Sequence, residues 1–318
     1  MSLEQWETFY RSGALATGPA GEDGLYDQEV RQAWSEFFST LPADARVLDI
    51  GTGNGVIALI ASETAAARGM RWQIHGTDLA RIDPLRHVAN AAERFAGVTF
   101  HAGVATERLP FDDASFDAVS GHYALEYSDI PAALAQIHRV LKPGGDAQFI
   151  LHHTESALVR SARNSMREVD LVLNQTRIYR RLHRLVSMDQ VPKATMDRAT
   201  RELVAAIRTL KLELAQAQAR HPGAGRILSV ALDAVQKLLA ARREGRPEVV
   251  GLDVDRAEEE MRAAWRRLND LVGHARSEDD MANIQRDATA RGFTLVEYTP
   301  LNHALTNLVG WQLLLHRP

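Results

Sequence analysis

The chain has 318 residues, of which 45% are hydrophobic, and a formal net charge of −4. This length allows one large domain or two, with enough apolar side chains for a sizeable core. The sequence contains no cysteine, which excludes disulfides, thiolate metal sites and cysteine-nucleophile catalysis, and the weak net charge gives no global argument for a nucleic-acid partner.

Residues 1–45 are predicted to form an N-terminal helical cap ahead of the first strand. Trp6, Phe9 and Tyr10 lie on one face of a first helical stretch, and a second stretch extends over residues 26–38. The first residues lack the basic region and apolar run of a secretion signal, and no stretch of the chain is apolar for long enough to predict a membrane span. We therefore expect a cytoplasmic protein that does not insert into a membrane.

The run from Val47 to Gly55, VLDIGTGNG, predicts a strand, a tight glycine turn and the start of a helix. Alternate glycines remove side chains, so that the backbone can approach a ligand closely. The pattern is neither the dinucleotide G-x-G-x-x-G nor a phosphate loop, because no Gly-Lys-Ser/Thr follows. Asp49, just before the first glycine, would repel a pyrophosphate. It suits a ligand with an amino group and a positive sulfur, namely S-adenosylmethionine.

Residues 46–154 alternate between strand and helix patterns, which predicts a parallel sheet with helices on both faces. Residues 289–318 are expected to add two final strands, at 292–298 and 309–315. The predicted strands of the first part are 46–50, 71–77, 98–102, 116–121 and 146–152, and its helices are 56–68, 84–95 and 131–141.

Five further motifs follow the glycine turn: Gly76-Thr77-Asp78-Leu79, the run from Glu107 to Phe111, Ser115-Phe116-Asp117-Ala118-Val119, Leu125-Glu126-Tyr127 and the run from His138 to Gly145. In this order and spacing the chain resembles the class I S-adenosylmethionine-dependent methyltransferases, and most of all the type 11 branch that includes the ubiquinone/menaquinone-biosynthesis enzymes. The resemblance covers roughly residues 46–155 and the final thirty. It implies a Rossmann-like α/β sheet of seven strands with the last strand antiparallel, S-adenosylmethionine as cofactor and S-adenosylhomocysteine as product.

The resemblance also implies a set of cofactor contacts. The methionine portion would meet the glycine turn, the ribose would meet the carboxylate of Asp78, and the adenine would pack on Leu79. The sequence departs from the family pattern at Ala105, where an acidic residue is usual, and at Tyr127, where a histidine is usual. The residues expected at the cofactor are Asp49, Gly51, Thr52, Gly53, Asp78, Leu79, Thr106, Glu107, His122 and, from the N-terminal cap, Tyr10.

Candidate catalytic residues follow the fourth and fifth strands. Histidine is well matched to removing a proton near neutral pH, and we predict His153 or His122 as the base, with Tyr123 orienting it. Since side chains alternate along a strand, only one of His152 and His153 reaches the pocket, and for the same reason the pair predicts no metal site. The alternative interpretation is that each histidine only stabilises a strand end.

Residues 155–288 carry helical patterns and almost no strand signal, and this segment is more basic than the rest of the chain. Three narrow apolar stripes predict a bundle of three or four helices inserted between strands five and six, acting as a lid over the acceptor site and as a homodimer interface. The stripes are Leu203, Ile207, Leu210, Leu214 and Ala217; Leu228, Leu232, Val235 and Leu239; and Ala257, Met261, Ala264, Leu268, Leu271 and Ala275.

These features favour methyl transfer to a small molecule or a small peptide-derived acceptor, with oxygen slightly favoured over nitrogen. A nucleic-acid partner is not expected, because no Asn/Asp-Pro-Pro-aromatic motif follows the fourth strand. Two alternatives stay open: an RNA or protein methyltransferase that docks through the basic insert, and a non-catalytic assembly protein. The basic residues of the insert, which could equally form a solvated helix face, are Arg177, Arg180, Arg181, His183 and Arg184.

Overall fold

The chain divides into two compact units, one made of Met1–Arg160 with Leu271–Pro318 and the other of Ser161–Asp270. The second unit lies inside the predicted insertion of residues 155–288 and is shorter than it at both ends. A computed structural model describes residues 3–16, 26, 28–221, 223–303 and 307–318.

The first unit is built on a seven-stranded sheet in the order β3-β2-β1-β4-β5-β7-β6. The first five strands pair in parallel, and β7 is antiparallel to both of its neighbours. The predicted Rossmann-like sheet with an antiparallel last strand is therefore confirmed. The strands are β1 (Arg46–Ile50), β2 (Gln73–Asp78), β3 (Val98–Ala102), β4 (Phe116–His122), β5 (Leu141–His152), β6 (Leu295–His303) and β7 (Asn307–His316).

Twelve α-helices are found in the part of the chain that the structure describes, and none of them combines the length and apolar content that a membrane crossing needs. The helices are α1 (Glu4–Tyr10), α2 (Gln28–Ser39), α3 (Val56–Ala67), α4 (Pro84–His87), α5 (Ala91–Arg94), α6 (Ile130–Val140), α7 (Ala157–Asp170), α8 (Ile178–Val186), α9 (Lys193–Arg220), α10 (Arg226–Glu244), α11 (Pro247–His274) and α12 (Glu278–Ala290). The single helix predicted for residues 84–95 is two short ones, because Val88 is extended and Asn90 has a left-handed φ of 55°.

The sheet is covered on both faces, as its apolar central strand requires. Val47 of β1 belongs to the apolar cluster on the side of α2 and α3, whereas the next residue, Leu48, belongs to the cluster on the side of α6. A strand buried on both faces reads as a continuous apolar run, which explains why β1 was predicted with its observed bounds.

Helix α12 belongs to the sheet unit rather than to the helical insertion. Its side chains Met281, Ile284 and Ala288 are buried in the same cluster as Leu134 and Ile137 of α6. The prediction that the bundle extends to residue 288 is therefore wrong. A short amphipathic helix has the same periodicity whether its apolar face packs on a sheet or on other helices.

The second unit buries the predicted stripes within one chain. Leu203 and Leu210 of α9, Leu228 and Val235 of α10 and Met261 of α11 share one apolar cluster, to which α7 and α8 also contribute. The described part of this unit thus draws on five helices rather than three or four. The homodimer stays a prediction, and these stripes no longer support it, because their own chain already buries much of them.

Candidate functional site

The candidate site lies where the order of strands reverses. The chain runs outward from β1 to β2 and β3 and then returns to β4 on the other side of β1, so a crevice opens at the carboxyl ends of β1 and β4. Asp49 of β1 and Ser120 of β4 are register partners there, and Ser120 Oγ donates a hydrogen bond of 2.9 Å to Asp49 Oδ1.

A cavity of about 1120 Å³, counting space that opens to solvent, occupies this crevice. Its lining contains all of the residues expected at the cofactor and two of the three predicted catalytic residues. Their proximity is thus seen in the structure, and their individual roles stay predictions. The predicted residues that line it are Tyr10, Asp49, Gly51, Thr52, Gly53, Asp78, Leu79, Thr106, Glu107, His122 and Tyr123.

The glycine turn requires glycine both for its backbone and for its surroundings. Gly51, Gly53 and Gly55 have φ angles of 58°, 52° and 86°, which other residues rarely adopt. A Cβ on Gly51 would lie 2.3 Å from Ala124 Cβ, and one on Gly53 would lie 2.7 Å from Tyr10 Cε1. The turn therefore exposes backbone to the cavity at positions where no side chain fits.

Asp78 connects the glycine turn to the end of β2. Its Oδ2 accepts a hydrogen bond of 2.9 Å from the amide of Gly53, and its Oδ1 accepts one of 2.8 Å from the amide of Ala80. Burial raises the pKa of this carboxyl to about 6, although the two backbone amides lower it. Each oxygen keeps a lone pair, so the carboxylate can accept hydrogen bonds from a ribose while it holds the turn in place.

Replacing Asp78 by Ala is expected to weaken the binding of S-adenosylhomocysteine by roughly 1–3 kcal/mol, because the ribose loses a charged partner and the Gly53 amide loses its acceptor. Calorimetry measures the change. Asp83→Ala is the matched control, since Asp83 also accepts a backbone hydrogen bond, from Arg86, but does not line the cavity. Equal affinity losses in the two variants would show that Asp78 has no special part in the binding.

Asp49 is a buried carboxyl, and one of its two oxygens, Oδ2, is not hydrogen-bonded to any described residue. Burial raises its pKa to about 7, the neighbouring hydroxyl groups of Thr52 and Ser120 lower it, and the nearby Asp78 raises it. An approaching positive charge would favour the ionised form of such a group. The site therefore fits a ligand with an ammonium or sulfonium group, as the acidic residue before the glycine turn predicted.

Asn54 links the N-terminal segment to the glycine turn by hydrogen bonds. This fully buried residue donates hydrogen bonds of 2.9 Å to the carbonyl of Tyr10 and 2.8 Å to the carbonyl of Ala14. The ring of Tyr10 stacks on Trp6 at 6.2 Å, and Trp6 meets Tyr127 edge-on at 6.0 Å. Helix α1 thus contributes an aromatic wall to the cavity. That this helix closes over the cofactor stays a prediction.

The residues expected near the adenine lie at one end of the cavity. Leu79 lines it with 49% of its surface exposed, so an apolar face is available to a flat ring. Thr106 and Glu107 stand on a single 3₁₀ turn. Glu107 Oε1 accepts a hydrogen bond of 2.7 Å from the amide of Asp129, the residue that caps α6, and this bond fixes the turn beside the cavity.

His122 and His152 both line the cavity. His122 Nδ1 accepts a hydrogen bond of 3.0 Å from the indole of Trp34, and burial holds the pKa of His122 well below its usual range. His152 stacks on Tyr123 at 3.8 Å, and burial lowers its pKa to about 3. Both rings are therefore neutral near pH 7.

His153 does not line the cavity, so the prediction that it reaches the acceptor is wrong. Its ring is partly exposed and stacks on Trp311 at 4.4 Å, and its Nδ1 accepts a hydrogen bond of 2.9 Å from the amide of Glu155. Adjacent side chains on a strand point to opposite faces, and His152 is the one of the two that lines the cavity. The sequence predicted the alternation but not which of the two faces the site.

The basic residues of the second unit are partly neutralised inside that unit. Arg181 and Arg184 both lie within 3.7 Å of Glu202 on α9. His183 Nε2 lies 3.6 Å from Asp255 Oδ2 on α11. This pairing agrees with the interpretation of a solvated helix face and removes part of the charge that a docking surface for RNA would need.

Several lining residues were missed in the sequence. Tyr26 precedes α2 and stacks on His122 at 4.2 Å, and Leu271 approaches from a distant part of the chain. Glu126 does not line the cavity, but its Oε1 accepts a hydrogen bond of 2.8 Å from the amide of His152, which does. Glu126 had a signal, since it falls in the Leu-Glu-Tyr motif, and Leu271 belongs to a predicted apolar stripe. The position of Tyr26 at the cavity depends on long-range packing.

The family model and the curated relatives described below are all methyltransferases by name. The model of a family described as a methyltransferase domain matches residues 47–145. A demethylmenaquinone methyltransferase of Chlorobaculum parvum is 32% identical over 108 residues, which are 34% of this chain and 41% of that protein. A ubiquinone/menaquinone biosynthesis C-methyltransferase of Desulfotalea psychrophila is 35% identical over 119 residues, 36% of this chain and 45% of that protein.

Among solved structures, the YcgJ protein of Bacillus subtilis is 28% identical, with a TM-score of 0.32 and coverage of 43% of this chain and 58% of that one. The chain spans less than half the length of the two curated relatives described above. The segment matched by the family ends before the second unit begins.

Proposed function

We propose that the protein transfers a methyl group from S-adenosylmethionine to a small-molecule acceptor, because residues 47–145 match the model of a methyltransferase domain. In the structure, the proposal rests on one observation. The buried carboxyl of Asp49 has an oxygen without a hydrogen-bond partner among the described residues, and it lies beside a turn whose glycines have a left-handed backbone. When bound, S-adenosylmethionine supplies an electrophilic methyl group on a positively charged sulfur.

The lining residues divide between two tasks under this proposal. Asp49 attracts the positive part of the cofactor, the amides and missing side chains of the glycine turn make room for its amino-acid portion, and Asp78 accepts hydrogen bonds from its ribose. The acceptor must then lie on the far side of the methyl group, in line with the carbon–sulfur bond. We assign that side to His152 and Tyr123, which both line the cavity.

The acceptor that we propose is a small, flat molecule. Aromatic rings from three separate segments, Trp6, Tyr26 and Tyr123, line the cavity, and such faces favour a planar ring. The names of the two curated relatives refer to quinone biosynthesis, which supports a quinol-like or phenolic ring. We propose oxygen rather than nitrogen as the receiving atom, because the neutral ring of His152 can accept a hydrogen bond from a hydroxyl and orient it.

A second candidate is transfer to a ring carbon. One curated relative is named as a C-methyltransferase. In a quinol, ionisation of the hydroxyl raises electron density on the neighbouring ring carbon, so the same cavity could present that carbon to the methyl group. The position of the methyl group in the product distinguishes the two candidates.

The test combines binding and turnover. Wild-type protein should bind S-adenosylmethionine and S-adenosylhomocysteine in calorimetry with micromolar affinity. It should also transfer a tritiated methyl group to at least one member of a panel of phenols, quinols and flat amines. Product NMR then shows whether oxygen, carbon or nitrogen carries the methyl group. Failure of the wild-type protein to bind either adenosyl compound would overturn the proposal.

Replacing His152 by Ala is expected to lower kcat/KM for that acceptor about 10- to 100-fold, the loss of one orienting hydrogen bond, with cofactor affinity unchanged. A strong general base would contribute about 10²–10⁴-fold, but a ring with so low a pKa is a weak base. His153→Ala is the control and should keep wild-type turnover. A larger loss in His153→Ala than in His152→Ala would contradict this assignment.

A further inference from the structure

One histidine of the cavity has a proton whose position can be deduced. Trp34 Nε1 lies 3.0 Å from His122 Nδ1, and an indole nitrogen can only donate a hydrogen bond. His122 Nδ1 must therefore be the acceptor and carry no proton. In the neutral ring the proton is then on Nε2. We infer that Trp34 is a positioning residue that holds His122 as a hydrogen-bond donor, and that the site selects a ligand with an acceptor oxygen at His122 Nε2.

The orientation of the ring follows from its packing. Tyr26 stacks on the imidazole at 4.2 Å with an interplanar angle of 19°, and Tyr123 meets it edge-on at 4.2 Å. Trp34 is itself fully buried in α2 and shares an apolar cluster with Phe37 and Phe38, whose rings it contacts. Turning the imidazole over would place a carbon against the indole and leave a buried N–H without an acceptor, which is costly. The assigned orientation is thus the one that satisfies Trp34.

His122 Nε2 is buried and has no hydrogen-bond partner in the described part of the chain, although His122 lines the cavity. An N–H in this position needs a hydrogen-bond acceptor, and a ligand bound in the cavity can supply one. A carbonyl, a carboxylate or an ionised hydroxyl can fill that need. An ammonium or amide N–H cannot, because it would bring a second donor.

Two sources of such an oxygen are compatible with the proposed function, on which this part of the inference rests. One is the carboxylate of the amino-acid portion of the cofactor, and the other is an oxygen of the methyl acceptor. In both cases His122 donates rather than accepts. This excludes the role of general base predicted for it, because the lone pair on Nδ1 is already used by Trp34.

The position of the proton can be measured in wild-type protein without any ligand. The ¹⁵N shifts of His122 should show a protonated Nε2 and an unprotonated Nδ1. Trp34→Phe, which keeps the aromatic packing and removes the donor, should let the proton distribute between both nitrogens. Trp72→Phe is the matched control, because Trp72 donates to the carbonyl of Pro42 in the same apolar cluster. Its His122 spectrum should match wild type. A proton on Nδ1 in wild-type protein would overturn the inference.

A pair of amide variants tests the donor directly. In His122→Gln the side-chain NH₂ can reach the position of Nε2, whereas the shorter side chain of His122→Asn places it near the position of Nδ1. We expect the Asn variant to lose about tenfold in affinity for the ligand that His122 contacts, and the Gln variant to recover most of that loss.

The probes separate the two oxygen sources. If the cofactor carboxylate is the partner, the loss appears with S-adenosylhomocysteine and is absent with 5′-methylthioadenosine, which lacks the amino-acid portion. If the methyl acceptor is the partner, the loss appears with 1,4-dihydroxy-2-naphthoate added to the S-adenosylhomocysteine complex. Equal affinities of the Asn, Gln and wild-type proteins for all of these probes would overturn the ligand part of the inference. If wild-type protein does not bind S-adenosylhomocysteine, the proposed function is overturned. The assigned position of the proton on His122 is not affected by that result.

Discussion

Gly53→Arg is expected to abolish binding of S-adenosylhomocysteine, with a loss of more than about 100-fold, or about 3 kcal/mol. A Cβ at this position would already lie 2.7 Å from the ring of Tyr10, and the rest of an arginine side chain would extend into the cavity that the turn leaves open. The substitution would also displace the Gly53 amide from Asp78. Calorimetry should show no heat of binding.

The matched control is Gly69→Arg. Gly69 has a φ of 65°, close to the 52° of Gly53, and a Cβ there would meet no atom within 4 Å. Both substitutions carry a similar backbone strain, so thermal unfolding should show a comparable loss of stability from that source. Only Gly53→Arg should lose the ligand. Normal binding by Gly53→Arg, or an equal loss in Gly69→Arg, would contradict the placement of the cofactor at the glycine turn.

Asp49→Asn is expected to stabilise the protein without ligand while weakening its affinity for S-adenosylmethionine. Burial raises the pKa of Asp49 from 3.8 to about 7, so the folded state holds this proton more tightly than the unfolded chain does. The resulting stabilisation is fully present below pH 3.8 and is lost as the pH rises through about 7. At pH 8 the ionised carboxylate therefore destabilises the fold, and the neutral amide removes that penalty.

The expected gain in unfolding free energy at pH 8 is about 1–4 kcal/mol, at roughly 1.4 kcal/mol per pKa unit. Asp117→Asn is the control, because Asp117 lies outside the cavity and pairs with Lys142 at 2.8 Å. Loss of the Asp117 charge should leave the free energy of unfolding unchanged or lower it. Denaturant unfolding at pH 5 and pH 8 measures both variants, and an Asp49→Asn protein less stable than wild type at pH 8 would contradict the prediction.

The affinity for the positively charged cofactor should move in the opposite direction. Wild-type protein should bind S-adenosylmethionine more tightly as the pH rises through about 7, where Asp49 ionises, and then reach a plateau. In Asp49→Asn the affinity should be about 10- to 100-fold lower at pH 8, and the difference between the two proteins should shrink toward pH 5. S-adenosylhomocysteine, which lacks the sulfonium charge, should show a smaller difference. Unchanged S-adenosylmethionine affinity in Asp49→Asn would remove Asp49 from the cofactor site.

The sheet domain and the residues of the glycine turn that line the cavity could be predicted from the amino-acid sequence alone. Strands β1 and β3 have their predicted bounds, and the three glycines lie in the tight turn that the sequence predicted. These features are local. A buried strand, a glycine turn and a helix start are encoded by neighbouring residues, and the carboxyl ends of parallel strands meet at one edge of the sheet whatever the loops do.

Several other features of the cavity and of the fold depend on contacts between distant segments and could not be predicted from the sequence. The hydrogen bond from Trp34 to His122 joins segments that are far apart in the chain, and so do the two hydrogen bonds from Asn54 to backbone carbonyls. The position of His152, rather than His153, at the cavity also depends on tertiary packing. The same is true of α12, whose apolar face packs on the sheet, and of the stripes that the second unit buries within one chain. Periodicity shows that a face is apolar or that two side chains diverge. Which surface covers that face, and which side chain enters the cavity, depends on packing between elements that no short stretch of sequence contains.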